Sequence, residues 1–395
     1  RMSAKTLNRR FFLLQAIMML MDCITVAYIS PILVSLGYSN LLIGQVMTLG
    51  TLAATLARPL WGYLNDRFSC ARQVTLGGTA AGAACYFLLT WGGGQVWITA
   101  LAVMGLYVTV VCMMNFIDSW ALRLINSGLP LNYGATRAGG SLSYAFGAVI
   151  FGMVVSRWGF RPGNAVLWVL WGLMCVVALS LPNPPAPDRP ARTVTLGRGI
   201  GTLRHNRVYC VMLAALFLST LASGSMESFY SVLILSSGGT EQHVGIALFL
   251  QAISELPVMF GYTRIRSKTH LSAAALISVS MLCYALKALV LGGASSLGVV
   301  MAAGLFQALS FALFTPACVD FMLETVPGEY LATGHLLFLA IGQGAGAVAG
   351  NALSGFLAEY LGMGWMFRTV GVLALLASGL ALCCAKMLNR RKGLS

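Results

Sequence analysis

Charged residues are scarce in this chain. Of its 395 residues only 9% are Asp, Glu, Lys or Arg, and only 11 are acidic. Soluble domains carry roughly a quarter charged residues. Hydrophobic residues make up 58% of the chain, and long apolar runs recur from Phe11 almost to Ala385. Since about twenty apolar residues span the hydrocarbon of a bilayer, the composition excludes a soluble fold and predicts an all-α integral membrane protein.

Patterned metal ligands and catalytic motifs are also lacking. The ten cysteines are scattered without a C-x-x-C pair, and histidine occurs four times. These residues predict no metal site and no cofactor. The sequence has no nucleophile elbow and no nucleotide fingerprint, so we expect no catalytic residues and no enzyme activity.

The net charge of +14 raises the question of nucleic acid, but the basic residues favour a membrane topology. With the N-terminus inside, nineteen of them fall in segments on the inner side and three, Arg157, Arg161 and Arg368, on the outer side. This bias predicts cytoplasmic termini, an even number of spans and no nucleic-acid partner. Short loops suggest a bacterial inner membrane.

Apolar periodicity divides the chain into twelve predicted spans. They begin near Arg10, Leu42, Gln73, Gln95, Thr136, Asn164, Val208, Gln242, His270, Ser295, Tyr330 and Gly364. The stretch 182–207 is Pro-rich and then Arg-rich, shows no apolar periodicity, and is predicted to be a flexible cytoplasmic linker. We therefore expect a six-helix bundle at 1–181, a basic linker at 182–207 and a second six-helix bundle at 208–395.

Two short motifs carry a family resemblance. Gly62-Tyr63 opens a basic turn after the second span, and Gly261-Tyr262 opens another after the eighth, as expected for two repeated halves. The segment from Gly62 to Arg72 resembles the G-x-x-x-D-R-x-G-R-[KR] loop of the major facilitator superfamily. The resemblance implies two pseudo-symmetric bundles and gives Asp66, Arg67 and Arg72 a role in gating or helix packing. Ser69 and Cys70 depart from the pattern.

A narrower resemblance concerns the fifth span. The segment from Tyr133 to Tyr144 looks like the aromatic-G-x-x-R-x-x-G pattern of lactose permease-type oligosaccharide and proton symporters. The resemblance implies that Asp118 and Arg137 bind solute hydroxyls and that Tyr144 stacks on a sugar ring. It also implies that Glu255 binds the solute and couples the two halves.

Ionisable side chains inside spans independently direct attention to the same residues, because each costs roughly 2.5–3.5 kcal/mol to insert. Antiparallel fourth and fifth spans can bring Asp118 and Arg137 together, and Asn115 extends the face of Asp118. A forked donor beside a carboxylate suits a polyol. The alternative is an ion pair that only fastens two helices.

The eighth span offers a second polar face. Gln251 precedes Glu255 by one helical turn, and both are predicted to bind the solute. Alternatively, Glu255 pairs with Lys287 of the next span. The two interpretations are compatible, since a bridge that breaks during transport can switch states.

Asp22 and Glu227 are the main predicted proton or cation sites. Each lies in a polar stripe at helical spacing without an obvious basic partner, and hydrated cavity walls are the alternative. Gln307 and Ser310 stand where the resembling group has its proton-coupling His and Glu. Coupling must therefore use Asp22, Glu227, Asp118 or Glu255, and sodium coupling or uniport stays open.

These features together predict a secondary transporter that moves a small polar solute across the bilayer by alternating access, with proton or sodium symport. Gly342 and Gly346 are assigned to close helix packing. We expect a monomer whose partners are the solute, the coupling ion and lipid. An exporter of amphiphilic compounds by proton antiport is the alternative, and a non-transporting receptor or scaffold is a third possibility.

Overall fold

The computed structural model describes residues 3–68, 70–183, 196–391 and 393. The side chains of 65–68, 138, 196–198, 332 and 391 also lie outside the described part. Helices joined by short turns make up this described part, and no strand occurs in it.

Twelve helices in the described part are long and apolar enough to cross a membrane. They are α1 (Ala4–Ser35), α2 (Asn40–Leu64), α3 (Ala71–Trp91), α4 (Val96–Asn126), α5 (Tyr133–Trp158), α6 (Pro162–Leu179), α7 (Arg207–Ser236), α8 (Glu241–Thr269), α9 (Ala273–Gly292), α10 (Leu297–Thr325), α11 (Thr333–Tyr360) and α12 (Met363–Arg390). This number confirms the predicted fold class.

Eleven of the predicted span starts lie within three residues of the observed ones, and α1 is the exception. It begins at Ala4, six residues before Arg10. Ser3 caps this end, because its hydroxyl accepts a hydrogen bond from the Thr6 amide at 3.2 Å. The prediction was wrong here because capping extends a helix beyond its apolar part.

The first of two compact units comprises Arg1–Tyr38, Leu49–Arg189 and Gly239–Ala252. Trp120 of α4 is fully buried at its centre. The ring of Phe11 from α1 packs edge-on against it with centroids 5.8 Å apart. This contact fixes α4 against α1, the two helices that carry Asp118 and Asp22.

Donors from three helices also hold the carbonyls of residues 180–182, the segment that directly follows α6. Arg10 donates to the Ser180 carbonyl at 2.8 Å, and Arg72 donates to the Leu181 carbonyl at 2.6 Å. The indole of Trp120 donates to the Pro182 carbonyl at 3.1 Å. The end of α6 is therefore tied to α1, α3 and α4.

The second unit comprises Ser39–Thr48, Pro190–Gly238 and Ile253–Ser395. Its apolar core draws side chains such as Met212, Met281 and Phe321 from α7, α9 and α10. Ser278 of α9 and Ser378 of α12 each donate to the other's carbonyl at 2.8 Å. The predicted halves 1–181 and 208–395 remain a prediction.

The predicted linker contains an unforeseen helix at Leu196–Leu203. Residues 184–195 lie outside the described part. Leu196, Ile200 and Leu203 recur at helical spacing. The prediction that this stretch has no apolar periodicity was therefore wrong here. Leu203 is buried in the core of the second unit and anchors this linker helix.

Two of the long helices contain a π-helical segment. In α4 it spans Tyr107–Val111, just before the part that carries Asp118. In α11 it spans Phe338–Ala345. Such segments insert an extra residue into the helical repeat and often lie at functional sites.

Candidate functional site

Asp118 of α4 and Arg137 of α5 meet in the first unit. The Arg137 Nε atom lies 3.8 Å from Asp118 Oδ2, and the two side chains are 29% and 23% exposed. Gln15 of α1 donates from Nε2 to the other carboxylate oxygen, Oδ1, at 2.8 Å. Tyr133 adds a phenol that interacts electrostatically with both charged groups. Three helices therefore build a polar cluster that remains partly open.

The guanidinium of Arg137 retains an unused donor. Its Nη1 atom is buried and has no hydrogen-bond partner. Gly140, one turn along α5, lies beside this atom, since a Cβ there would be in van der Waals contact with Nη1 at 3.5 Å and too close to Met19 Cγ at 2.9 Å. Buried donors without acceptors are rare in folded proteins. Nη1 is therefore a donor that a bound acceptor would satisfy.

Asp22 lies two turns beyond Gln15 on α1 and is half-buried. The charged group that acts on its carboxylate is Arg137. The stripe around Asp22 contains no basic residue, because Arg137 lies on another helix. Thr25, from the same predicted stripe, donates its hydroxyl to the Met21 carbonyl at 2.7 Å within its own helix and is not available to a solute.

The remaining predicted contacts of the first unit have different degrees of exposure. Asn115 is exposed and precedes Asp118 by one turn, while Tyr144 is half-buried and follows Arg137 by two turns. Gln251 is half-buried on the part of α8 that belongs to the first unit. Glu255 lies one turn further along α8, in the part that belongs to the second unit.

Lys287 of α9 forms the charged centre of the second unit. Its side chain is 3% exposed, and its ammonium donates to Gln307 Oε1 of α10 at 2.8 Å. The same nitrogen lies 5.3 Å from the ring centroid of Tyr230 on α7, a cation–π distance. The hydrogen bond from Lys287 to Gln307 was not predicted. The available signal was a neutral amide at a position where the resembling symporters have a proton-coupling residue.

Two carboxylates act on this lysine. Glu227 of α7 has the stronger electrostatic influence on Lys287, and Glu255 of α8 has the weaker. Both carboxylates also act electrostatically on Tyr284 of α9. Glu227 is exposed, whereas Glu255 is half-buried. The predicted neighbourhood of Glu255 and Lys287 is present, and Glu227 joins it.

A second charge network lies at the cytoplasmic-side ends predicted for α8 and α10. Arg266 forms ion pairs with Asp320 and Glu324. Tyr262 donates its hydroxyl to Asp320 at 2.5 Å. This network was not predicted from the sequence, and the repeated Gly-Tyr pair at 261–262 is the signal that marks it.

Some of the predicted gating and packing residues have described side chains, namely Arg72 on α3 and two glycines on α11. Arg72 donates to the Leu181 carbonyl, just beyond the end of α6, and the side chains of Asp66 and Arg67 lie outside the described part. On α11, a Cβ at Gly346 would lie 2.0 Å from Thr220 Oγ1 of α7, and one at Gly342 would lie 3.2 Å from Leu216. Both glycines therefore allow α7 and α11 to pack closely.

Twelve apolar helices with ionisable side chains held inside them place this chain in the class of integral membrane proteins with many spans. The chain belongs to the MFS_1 like family, whose model matches residues 8–369. This match confirms the superfamily predicted from the Gly62–Arg72 loop.

Similar curated proteins are bacterial transporters. An uncharacterized transporter of Bacillus subtilis, YwbF, is 23% identical over 87% of this chain and 84% of its own length. Maltose permease of Geobacillus stearothermophilus is 27% identical over 86% of each chain. A probable 3-phenylpropionic acid transporter of Escherichia coli is 20% identical over 72% of this chain and 74% of its own.

Solved structures share the fold at low identity. The nucleoside transporter NupG superposes with a TM-score of 0.80 at 15% identity, covering 96% of this chain and 98% of that one. A POT family transporter in complex with 5-aminolevulinic acid gives a TM-score of 0.75 at 14% identity, covering 96% of each chain. These likenesses establish the fold alone.

Proposed function

We propose that this transporter imports a small polar solute, such as a sugar, a glycoside or a nucleoside-like molecule, by alternating access and cation symport. The observation that carries the proposal is the partly exposed Asp118 and Arg137 pair with an unused guanidinium donor. Carboxylate acceptors beside guanidinium donors match a solute hydroxyl, which both donates and accepts. Maltose permease and the nucleoside transporter are the relatives whose names fit such a solute.

The geometry of the Asp118 and Arg137 pair favours a role in binding the solute over a role in fastening α4 to α5. A pair that fastens helices gains most from two parallel hydrogen bonds between guanidinium and carboxylate. Here the ion-pair contact joins Nε to Oδ2 at 3.8 Å, and Gln15 occupies the other oxygen. The loose contact leaves Arg137 Nη1 without a partner, so a solute hydroxyl can enter without breaking a tight bridge.

The test begins with purified protein in lipid nanodiscs. A thermal-shift screen of sugars, nucleosides, organic acids and amphiphiles identifies the solute, because a ligand of the folded state raises its melting temperature. Arg137→Ala should then weaken binding about a hundredfold, equivalent to about 2.7 kcal/mol. Arg157→Ala, on the exposed end of α5, is the matched control and should bind normally.

Two outcomes would reject this function. If only amphiphiles raise the melting temperature, the protein is better described as an exporter. If Arg137→Ala binds the identified solute as tightly as the unchanged protein, the cluster of Asp118 and Arg137 is not the solute site.

Within the same proposal, Glu227 and Asp22 carry the coupling cation, and Asp118 and Glu255 are the other carboxylates available for it. Glu227 is exposed beside a buried lysine, so its charge can change without unfolding the core around Lys287. In proteoliposomes, Glu227→Gln or Asp22→Asn should retain solute exchange but lose uphill uptake driven by a pH gradient. Full uptake in both single variants and in the double variant rejects these carriers, and uptake that follows a sodium gradient identifies sodium instead.

The proposed working form is a monomer in a bacterial inner membrane with cytoplasmic termini, in which the halves 1–181 and 208–395 reorient. Mass photometry in nanodiscs tests the monomer. Protease accessibility of terminal tags in inverted vesicles tests the sidedness, and protection of either tag would reject it.

A further inference from the structure

An arginine within α2 has no role in the function proposed so far. Arg58 lies one turn beyond Ala54, which is 2% exposed, and nearly opposite Leu56 and Leu60, which are 70% and 58% exposed. Residues four apart share a face of a helix. Arg58 therefore points away from the most exposed face of α2. Its side chain is half-buried, and its Nε atom is buried without a hydrogen-bond partner.

The neighbour of Arg58 on α4 connects it with the solute cluster. Arg58 acts electrostatically on Cys112, and the Cys112 thiol donates to the Ala54 carbonyl at 3.7 Å. Cys112 precedes Asp118 by six residues, or about 9 Å along a helix. The exposed Asn115 lies between them on the same helix. The helices that carry Arg58 and Asp118 thus contact each other at Ala54 and Cys112, one turn before Arg58 on α2 and one turn before Asn115 on α4.

The carboxylates of this cluster are already engaged by other groups. Asp118 contacts Arg137 and Gln15, and Arg137 is the cation that acts on Asp22. Among the described side chains, no carboxylate forms an ion pair with Arg58. A guanidinium inside a span is costly unless an anion or water-filled space accompanies it. The donor geometry of arginine matches a carboxylate or phosphate.

We infer that Arg58, assisted by Asn115, binds an oxyanion carried by the transported solute, while Asp118 and Arg137 bind its hydroxyls. The inference rests on the proposed function and narrows it to solutes with a carboxylate or phosphate group. Asn115 can donate its amide to the same oxyanion, and its exposure leaves that amide accessible.

The test uses pairs of compounds that differ mainly in the anionic group. Glucuronate and glucose, uridine 5′-monophosphate and uridine, and benzoate and benzyl alcohol are compared by thermal shift on the full chain in nanodiscs. The acid of at least one pair should bind about tenfold to a hundredfold more tightly than its neutral partner, as expected for hydrogen bonds to a charged group. Arg58→Gln should remove that difference and leave the affinity for the neutral partner unchanged.

Two further variants separate binding from structure. Arg58→Lys keeps the charge without the fork and should retain part of the acid preference. Arg157→Gln removes one positive charge from the exposed end of α5 and should retain all of it. Without ligand, Arg58→Gln should melt at the same temperature as the unchanged protein or higher, because an unpaired charge has been removed from a span.

The inference is overturned if no acid binds more tightly than its neutral partner, or if Arg58→Gln keeps the acid preference. It is also overturned if Arg58→Gln melts at a lower temperature without ligand and Arg58→Lys shows no acid preference, because Arg58 then supports the fold. The proposed function survives these results as long as neutral solutes bind and Arg137→Ala abolishes that binding.

Discussion

The charged clusters around Arg137 and Lys287 differ in how exposed the cation is and in which groups it contacts. Arg137 in the first unit is 29% exposed, touches its carboxylate at 3.8 Å and has an unused donor. Lys287 in the second unit is 3% exposed and is satisfied by Gln307 at 2.8 Å and by the ring of Tyr230. Arg137 is therefore arranged to bind a solute, whereas the polar groups of the protein itself replace the hydration of Lys287.

This difference has an energetic basis. A buried charge is stable only when fixed polar groups replace its hydration, as Gln307 does for Lys287, so removing the lysine side chain leaves a buried acceptor without its donor. A half-exposed charge keeps part of its hydration and contributes little to folding. Stability should therefore depend on Lys287, and solute affinity should depend on Arg137.

The largest expected effect is that of Lys287→Ala. Loss of the buried side chain leaves a cavity and removes the donor to Gln307, so the free energy of unfolding should fall by about 2–5 kcal/mol. Arg137→Ala is the matched control and should lower it by about 1 kcal/mol or less. Equilibrium unfolding in mixed micelles measures both changes. Equal losses in the two variants would remove the distinction between the clusters.

A smaller loss is expected for Gln307→Leu. The Lys287 ammonium loses its amide acceptor, and a hydrogen bond to a charged group contributes about 1.5–3 kcal/mol to stability. Gln307→Glu should preserve stability, since a carboxylate can accept from the same ammonium. Gln95→Leu, at an exposed position before α4, is the control for the change of residue type. If Gln307→Leu were as stable as the unchanged protein, Lys287 would depend on other partners.

The smallest effect is expected for Gln15→Leu in the first unit. Asp118 loses one donor, but its partial exposure lets water replace that donor, so solute affinity should fall by about tenfold or less. The measurement is a binding isotherm for the solute identified by thermal shift. Thr25→Val should leave affinity unchanged, because the Thr25 hydroxyl is used within its own helix. A hundredfold loss in Gln15→Leu would show that Asp118 is less accessible to water than Arg137.

Helix positions and the approach of Asp118 to Arg137 could be predicted from the sequence. Apolar runs are local signals of span length, and two opposite charges in consecutive antiparallel spans have few other places to go. The start of α1 was misplaced because Ser3 acts through a backbone amide and not through hydropathy. The helix at Leu196–Leu203 was missed because its apolar residues are spaced among glycines and arginines.

Partners that come from distant helices could not be predicted. Gln15 lies in one stripe with Asp22 but donates to Asp118, 103 residues away. Lys287 is bound by Gln307, a neutral residue that a search for opposite charges overlooks. Arg72 belongs to a loop motif but donates to the Leu181 carbonyl, just beyond the end of α6. Each contact depends on how helices rotate against one another, which sequence spacing does not encode.

The π-helical segment of α4 makes the position of Asp118 depend on residue count as well as residue type. One extra residue at Tyr107–Val111 turns everything after it by about 100° about the helix axis, relative to a regular helix. Losing a single residue from this segment would rotate Asp118 away from Arg137 while every charge stayed in the chain. Insertions and deletions there could therefore change which solute is recognised without any substitution in the residues that contact it.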